Sequence, residues 1–159
     1  AGTPKERIHE TVEWLWQEQP KYNLWRRPIA GMFELVRELH DMQIPLGIIS
    51  NSEGRLAELA DELGIGQYFR VVADSGKFGI PKPKAEIFLY TAQSLGVKPT
   101  EIVHVGDALA ADVEGALNVG MRVIWFAGDP DQRTRFGEDV RLAFNAADVR
   151  EALRAWLGR

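Results

Sequence analysis

The sequence contains no cysteine, and that absence removes two kinds of chemistry at once. Neither a disulfide framework nor a thiolate metal centre can be built, and a reducing cytoplasm is the simplest home for such a chain. Long hydrophobic runs are missing too. No stretch approaches the roughly 20 apolar residues of a membrane span, and no signal-peptide pattern is found. An excess of one charge is also lacking: 19 Lys and Arg against 23 Asp and Glu leave a net charge of −4 with both signs interspersed. That balance gives no basic footprint for nucleic acid. Internal repeats and low-complexity tracts are absent. What remains is 159 residues with 45% hydrophobic content, enough for one globular domain with a substantial core.

Hydrophobic periodicity divides the chain into alternating elements. Thr3-Pro4-Lys5-Glu6 is a capping box, and Ile8, Val12, Leu15 and Trp16 follow at helical spacing, which predicts a helix over 4–18. Pro20 to Asn23 reads as its break. Trp14 and Trp25 lie near it, and packing is the preferred reading of that aromatic cluster over a substrate pocket. Pro28 opens a second helix, with Met32, Leu35, Val36 and Leu39 on one face. Ile44 to Ile49 is a strand. A helix through Leu56, Leu59, Ala60 and Leu63 follows, stopped at Gly64. Arg70 to Ala73 is a short strand, and Lys84 to Leu95 is a helix burying Ile87, Phe88 and Leu95. Ile102 to Val105 and Met121 to Phe126 are buried strands. Residues 127–140 read as a surface loop with one helical turn. Arg141 to Phe144 reads as an edge strand, and Asp148 as the cap of a final helix through Ala152, Leu153, Trp156 and Leu157. Strands alternating with helices over short connections predict a parallel α/β sheet with right-handed crossovers.

Chemistry-bearing residues gather at strand ends. Ser50-Asn51-Ser52 stands between a strand and a helix, where one residue serves as N-cap. The hydroxyl, the amide and the free helix N–H groups there also make an anion site. Lys82 lies between Pro81 and Pro83, which hold its backbone extended at the mouth of the next helix. Asp107 ends a strand and Asp112 follows five residues later, in the first turn of the next helix. Such a pair serves as helix caps, or, facing one crevice, calls for a hard divalent cation, Mg²⁺ above all. In parallel sheets ligands bind beyond the carboxyl ends of the strands, and Ser50, Lys82, Asp107 and Asp112 all fall at that end.

These residues carry a family resemblance. Ile48-Ile49-Ser50-Asn51, then Gly79-x-x-Lys82-Pro83 with Ile87-Phe88, then His104-Val105-Gly106-Asp107-x4-Asp112 with Gly115-Ala116 and Gly120-Met121 resemble the second, third and fourth motifs of the haloacid dehalogenase (HAD) superfamily. The similarity runs from about Pro28 to Phe126. It implies a Rossmann-like three-layer α/β/α fold with a core over 28–159 and a helical cap remnant over 1–27. It also implies an Mg²⁺-dependent phosphatase acting on a small phosphorylated metabolite through an aspartyl-phosphate intermediate. By the same resemblance Ser50 and the Asn51 amide hold a phosphoryl oxygen and Lys82 neutralises its charge. Asp107 binds Mg²⁺, and Asp112 binds it directly or through water. The Gly106-Asp107 pair favours a phosphatase over a haloacid dehalogenase. A catalytically dead binding module is the other alternative.

The family's first motif, Asp-x-Asp-x-Thr, which supplies the nucleophile, occurs nowhere in the sequence. Ala108, Ala111 and Lys84-Ala85 are smaller departures from the family pattern. With the first motif goes the central strand of the sheet, between the strands at Ile44 and Ile102. The expectation is therefore a truncated chain, inactive alone. Its sheet would be completed by a dimer, by a retained N-terminal fragment or by rearranged pairing.

Overall fold

The computed structural model describes residues 7–22 and 26–158. The expected Thr3–Glu6 capping box, Trp25 and the Trp16 side chain lie outside the described residues. Among those residues the apolar runs form parallel strands in two separate sheets. One sheet pairs β1 (Gly47–Ser50) with β2 (Val71–Asp74), in a register that sets Ser50 beside Asp74. The other has the order β3 (Val103–Gly106), β4 (Arg122–Phe126), β5 (Val140–Ala143), with Gly106 beside Trp125. The helices are α1 (Ile8–Tyr22), α2 (Met32–Asp41), α3 (Leu56–Glu62), α4 (Ser75–Phe78), α5 (Ala85–Leu95), α6 (Gly115–Leu117), α7 (Pro130–Arg133) and α8 (Ala146–Leu157).

β4 explains the layering. Its side chains alternate, as a pleated strand requires: Val123 and Trp125 enter one core cluster and Ile124 enters the other. The first cluster contains Ile87, Phe88 and Ala92 of α5, Ala116 of α6, and Ala73 of β2. One helical layer thus packs against strands of both sheets. The second cluster joins Ile124 and Ala143 to Leu35 of α2 and to Val149 and Ala152 of α8 on the opposite face. Ile87, Phe88 and Val113 are wholly buried. Each such large side chain contributes about 1.5–3 kcal/mol relative to exposure. This three-layer α/β/α arrangement of parallel strands is the fold class read from the sequence.

The two strands that face each other across the break are unusual. β1 and β3 are not hydrogen-bonded to one another, and neither contains a fully buried residue. β2 and β4 each contain three. Val105 of β3, at the unpaired edge of its three-stranded sheet, is 36% exposed. Beside β1, a cavity of about 360 Å³ opens between Phe33 of α2, Ile48 and Ser50, and Leu56, Leu59 and Leu63 on and after α3.

Several local expectations are corrected. α2 begins at Met32 rather than Pro28, because Gly31 turns the chain at φ +81° and serves as its N-cap. α1 continues through Pro20 to Tyr22. Trp14 is 60% exposed, so the packed aromatic cluster is not formed by this residue. Residues 127–140 hold more than one helical turn, α7 followed by a 3₁₀ stretch from Thr134 to Asp139. The final helix is capped by Asn145, whose side chain accepts from Asp148 N at 3.0 Å. Asp148 answers from inside the helix by accepting from Phe144 N at 2.8 Å. The sequence reading named the wrong half of a reciprocal pair.

Asp74, at the end of β2, fastens the loop that follows β1. Its carboxylate accepts backbone N–H groups of Gly54 (3.0 Å), Leu56 (2.9 Å) and Gly76 (2.9 Å). Burial alone would raise its pKa, but these donors prevail and hold it below the usual value of 3.8. Asp74→Ala leaves those N–H groups without an acceptor, at about 1–3 kcal/mol for each that water cannot reach. A total loss near 3 kcal/mol is expected in urea unfolding at pH 7. A depressed carboxylate stabilises above its unfolded pKa, so the gap between parent and variant should narrow as pH falls below 3.8. A loss under about 0.5 kcal/mol at pH 7 would mean that Asp74 does not organise this loop.

Candidate functional site

Ser50, Asn51, Lys82, Asp107 and Asp112 are contributed by the ends of β1 and β3, by the helical turn after β3 and by the loop that enters α5. Lys82 contacts two of them, Asn51 and Asp112. Its ammonium donates to the Ile49 carbonyl of β1 at 3.1 Å and to Asp112 Oδ1 at 2.5 Å. One cation therefore spans the break between the sheets. Pro81 and Pro83 have no N–H, so Lys82 N is the sole backbone donor in that tripeptide. It is taken by Asn51 Oδ1 at 2.8 Å, while Asn51 Nδ2 donates back to the Lys82 carbonyl at 3.0 Å. The Lys82–Pro83 peptide is cis. The side chain of Asn51 thus clamps the backbone of Lys82, a role that sequence reasoning did not assign to it.

Asp112 is held from three directions. Oδ1 receives Lys82 and also His104 Nε2, the latter at 3.0 Å, while Oδ2 receives Ala108 N at 3.0 Å. Burial alone would raise its pKa, but the hydrogen bonds of His104 and Lys82 and the lysine's charge push it far below the carboxylate range. The residue sits in a π-helical turn, Leu109–Glu114, rather than in the ordinary first helical turn expected for it. The Ala108 carbonyl there accepts from both Asp112 N (2.7 Å) and Val113 N (3.2 Å), widening the turn. Val113 is thereby sent into the core while Asp112 faces the sheet ends. A glycine at 106 is required for this approach. A Cβ there would lie 2.4 Å from Asp112 Cγ.

Asp107 differs from Asp112 in every respect. It is exposed, and among the described residues its carboxylate makes no hydrogen bond or ion pair. Its carbonyl accepts from Trp125 Nε1 at 2.9 Å, so the neighbouring strand fixes the loop while leaving the carboxylate free. The Ser50 hydroxyl is half-buried at the cavity rim and likewise makes no hydrogen bond among the described residues. The site therefore offers a fixed cation, an uncommitted hydroxyl and an uncommitted carboxylate.

A family model described as haloacid dehalogenase-like hydrolase matches residues 2–120. The chain belongs to this family. Among curated HAD-like relatives, it is 35% identical over 96 residues to the glyceraldehyde 3-phosphate phosphatase of Methanopyrus kandleri, covering 60% of this chain and 41% of that protein. It is 37% identical over 81 residues to the 5-amino-6-(5-phospho-D-ribitylamino)uracil phosphatase YigB of Escherichia coli, covering 51% of this chain and 32% of that one. The crystal structure of a HAD phosphatase from Thermococcus onnurineus superposes with a TM-score of 0.72 at 30% identity, covering 89% of this chain and 64% of the other. The chain spans less than half the length of these two curated relatives.

The donor set tests how a HAD-like chain of this sequence could hold Mg²⁺. Among the described residues no group of three His, Cys, Asp or Glu side chains is placed to hold an ion. Asp107 has free oxygens, whereas both oxygens of Asp112 are already engaged. Mg²⁺ takes near-octahedral oxygen ligands and keeps several waters. Of the two, Asp107 alone has oxygens free to meet such an ion, so most of its ligands would have to come from outside this pair.

Gly106→Ala should displace the Asp112 carboxylate, because the added methyl occupies its position. Overpacking of this kind costs about 1–3 kcal/mol. Thermal and urea unfolding of the variant should show that loss. Unchanged stability would mean that Asp112 is not held against Gly106.

Proposed function

We propose that this chain carries the phosphoryl-binding part of a HAD-like phosphatase that acts on a small phosphorylated metabolite. The observation that supports this most is the Lys82 ammonium, pinned between the Ile49 carbonyl of β1 and Asp112 in the turn after β3, with Ser50 and Asp107 at the ends of those two strands. Phosphoryl transfer asks the protein for position and charge stabilisation, and this set supplies both. Ser50 donates its hydroxyl hydrogen to one phosphoryl oxygen, with the Asn51 backbone N–H beside it. Lys82 donates to another and offsets its charge. Asp107 would meet Mg²⁺, which when bound neutralises charge on the phosphoryl oxygens. Curated relatives that act on two unlike phosphate esters fit a site that reads the phosphate and leaves the organic part to other segments. Residues 28–159 form the core in this reading, and 1–27 belong to the cap.

Covalent transfer also needs a carboxylate nucleophile in line with the leaving oxygen. No Asp-x-Asp-x-Thr is present in the sequence to provide it. The second part of the proposal is that an extended segment bearing this motif seats between β1 and β3. It would come from an N-terminal fragment; a strand from a second copy could fill the same gap but would not bring the motif. The exposure of Val105 and the lack of pairing between β1 and β3 support such an occupant.

The test is turnover of an aryl phosphate with Mg²⁺, by the chain alone and with an added N-terminal segment carrying Asp-x-Asp-x-Thr. The chain alone should be inactive, since loss of a nucleophile lowers rate by ~10⁶-fold in well-studied hydrolases. With the segment, Mg²⁺-dependent turnover should appear and should be lost in Asp107→Asn. Robust turnover by the chain alone would show that the nucleophile lies elsewhere. Phosphate-dependent stabilisation with no turnover under either condition would favour a binding module instead.

A further inference from the structure

Resting on the anion-site reading above, we infer that His104 is a positioning residue for Lys82, acting through the carboxylate that the two side chains share. Lys82 has three N–H donors and no acceptor. One is used on the Ile49 carbonyl and one on Asp112 Oδ1, which leaves the third for an incoming anion. Whether the ammonium can turn toward that anion depends on how tightly Asp112 holds it. His104 Nε2 lies 3.0 Å from the same Oδ1, so histidine and lysine divide one oxygen between them. The carboxylate oxygen is an acceptor, so Nε2 carries the hydrogen.

The imidazole is built for this position. It projects from β3, is about 90% buried, and meets Phe88 edge-on with ring centroids 5.4 Å apart. Phe88 is wholly buried and also packs against Gly115, where a Cβ would lie 2.9 Å from its ring. A fixed aromatic wall therefore orients the ring, and the Ala108 N–H fixes the other carboxylate oxygen. With His104 in place Asp112 is anchored without drawing its whole charge from Lys82. With that donor removed, Oδ1 has Lys82 as its remaining partner, and the ammonium is held away from the phosphate.

Inorganic phosphate is the probe, its affinity read by calorimetry and by the rise in melting temperature at millimolar concentration. His104→Leu should weaken phosphate binding about tenfold, the equivalent of one charge-assisted hydrogen bond. His104→Gln, which restores an N–H donor, should bind within about threefold of the parent. A purely structural role would lower the melting temperature of both variants and leave phosphate affinity unchanged. Lys82→Ala separates the two levels of the reading. If it binds phosphate as the parent does, or if the parent does not bind, the anion site itself falls and this role falls with it. If Lys82→Ala loses binding while both His104 variants keep it, the anion site stands and the positioning role is wrong. Should the leucine variant fail to fold, nitrogen NMR of the parent decides. An Nε2–H imidazole whose signal moves in Asp112→Asn supports the role, and an Nδ1–H imidazole overturns it.

Discussion

One ion pair holds the candidate site together. Lys82 reaches the carbonyl of Ile49 on one sheet and the carboxylate of Asp112 behind the other, and among the described residues no strand pairing joins those two sheets. Taking two charges out of water is costly, and a buried pair is rarely the cheapest way to stabilise a fold. Its cost is offset here by the donors converging on Asp112, His104 Nε2 and Ala108 N–H, and by the Asn51 side chain that fixes the lysine backbone. Removing one partner alone leaves an uncompensated buried charge, which is why such pairs are stringent even when their net contribution is small.

The break between β1 and β3 gives this arrangement its functional meaning. α5 packs against strands of both sheets through Ile87, Phe88 and Ala92, so the two halves share a core without sharing a ladder. Free strand edges present N–H and C=O groups that seek a partner. The Lys82 ammonium satisfies one of these, the Ile49 carbonyl, and does so at the end of the sheet where the anion is proposed to bind. The same side chain thus closes part of the fold and, under the proposed function, displays charge to a ligand. Burial of strand β4 on both faces shows what the flanking strands lack.

Much of this was legible in the sequence. Apolar runs placed the strands to within a few residues. The rule that ligands meet the carboxyl ends of parallel strands grouped Ser50, Lys82, Asp107 and Asp112, and of these the structure joins Lys82 to Asp112 directly. What escaped depends on partners distant in sequence. Nothing local to Asn51 says that its carboxamide will face Lys82, although two flanking prolines do advertise a lone backbone donor that needs an acceptor. His104 reads as an interior strand residue, and its polar partner appears only once a π-helical turn swings Asp112 back over Gly106. Trp125 likewise reads as core, while its indole N–H holds the Asp107 loop through a register that periodicity does not encode. At the last helix, Asn145 and Asp148 are both good capping residues, and only geometry distinguishes the cap from its respondent.

The most direct test of this centre is a double-mutant cycle on stability, using Lys82→Met, Asp112→Leu and the combined variant in urea unfolding. Each single variant leaves a buried charge without its partner and should lose about 3–5 kcal/mol. The double variant removes both charges and should be more stable than the sum of the single losses predicts, with a coupling energy of about 1 kcal/mol or more. Single losses that add to within about 0.5 kcal/mol would mean that Lys82 and Asp112 do not act as one unit, and would contradict the proposed clasp.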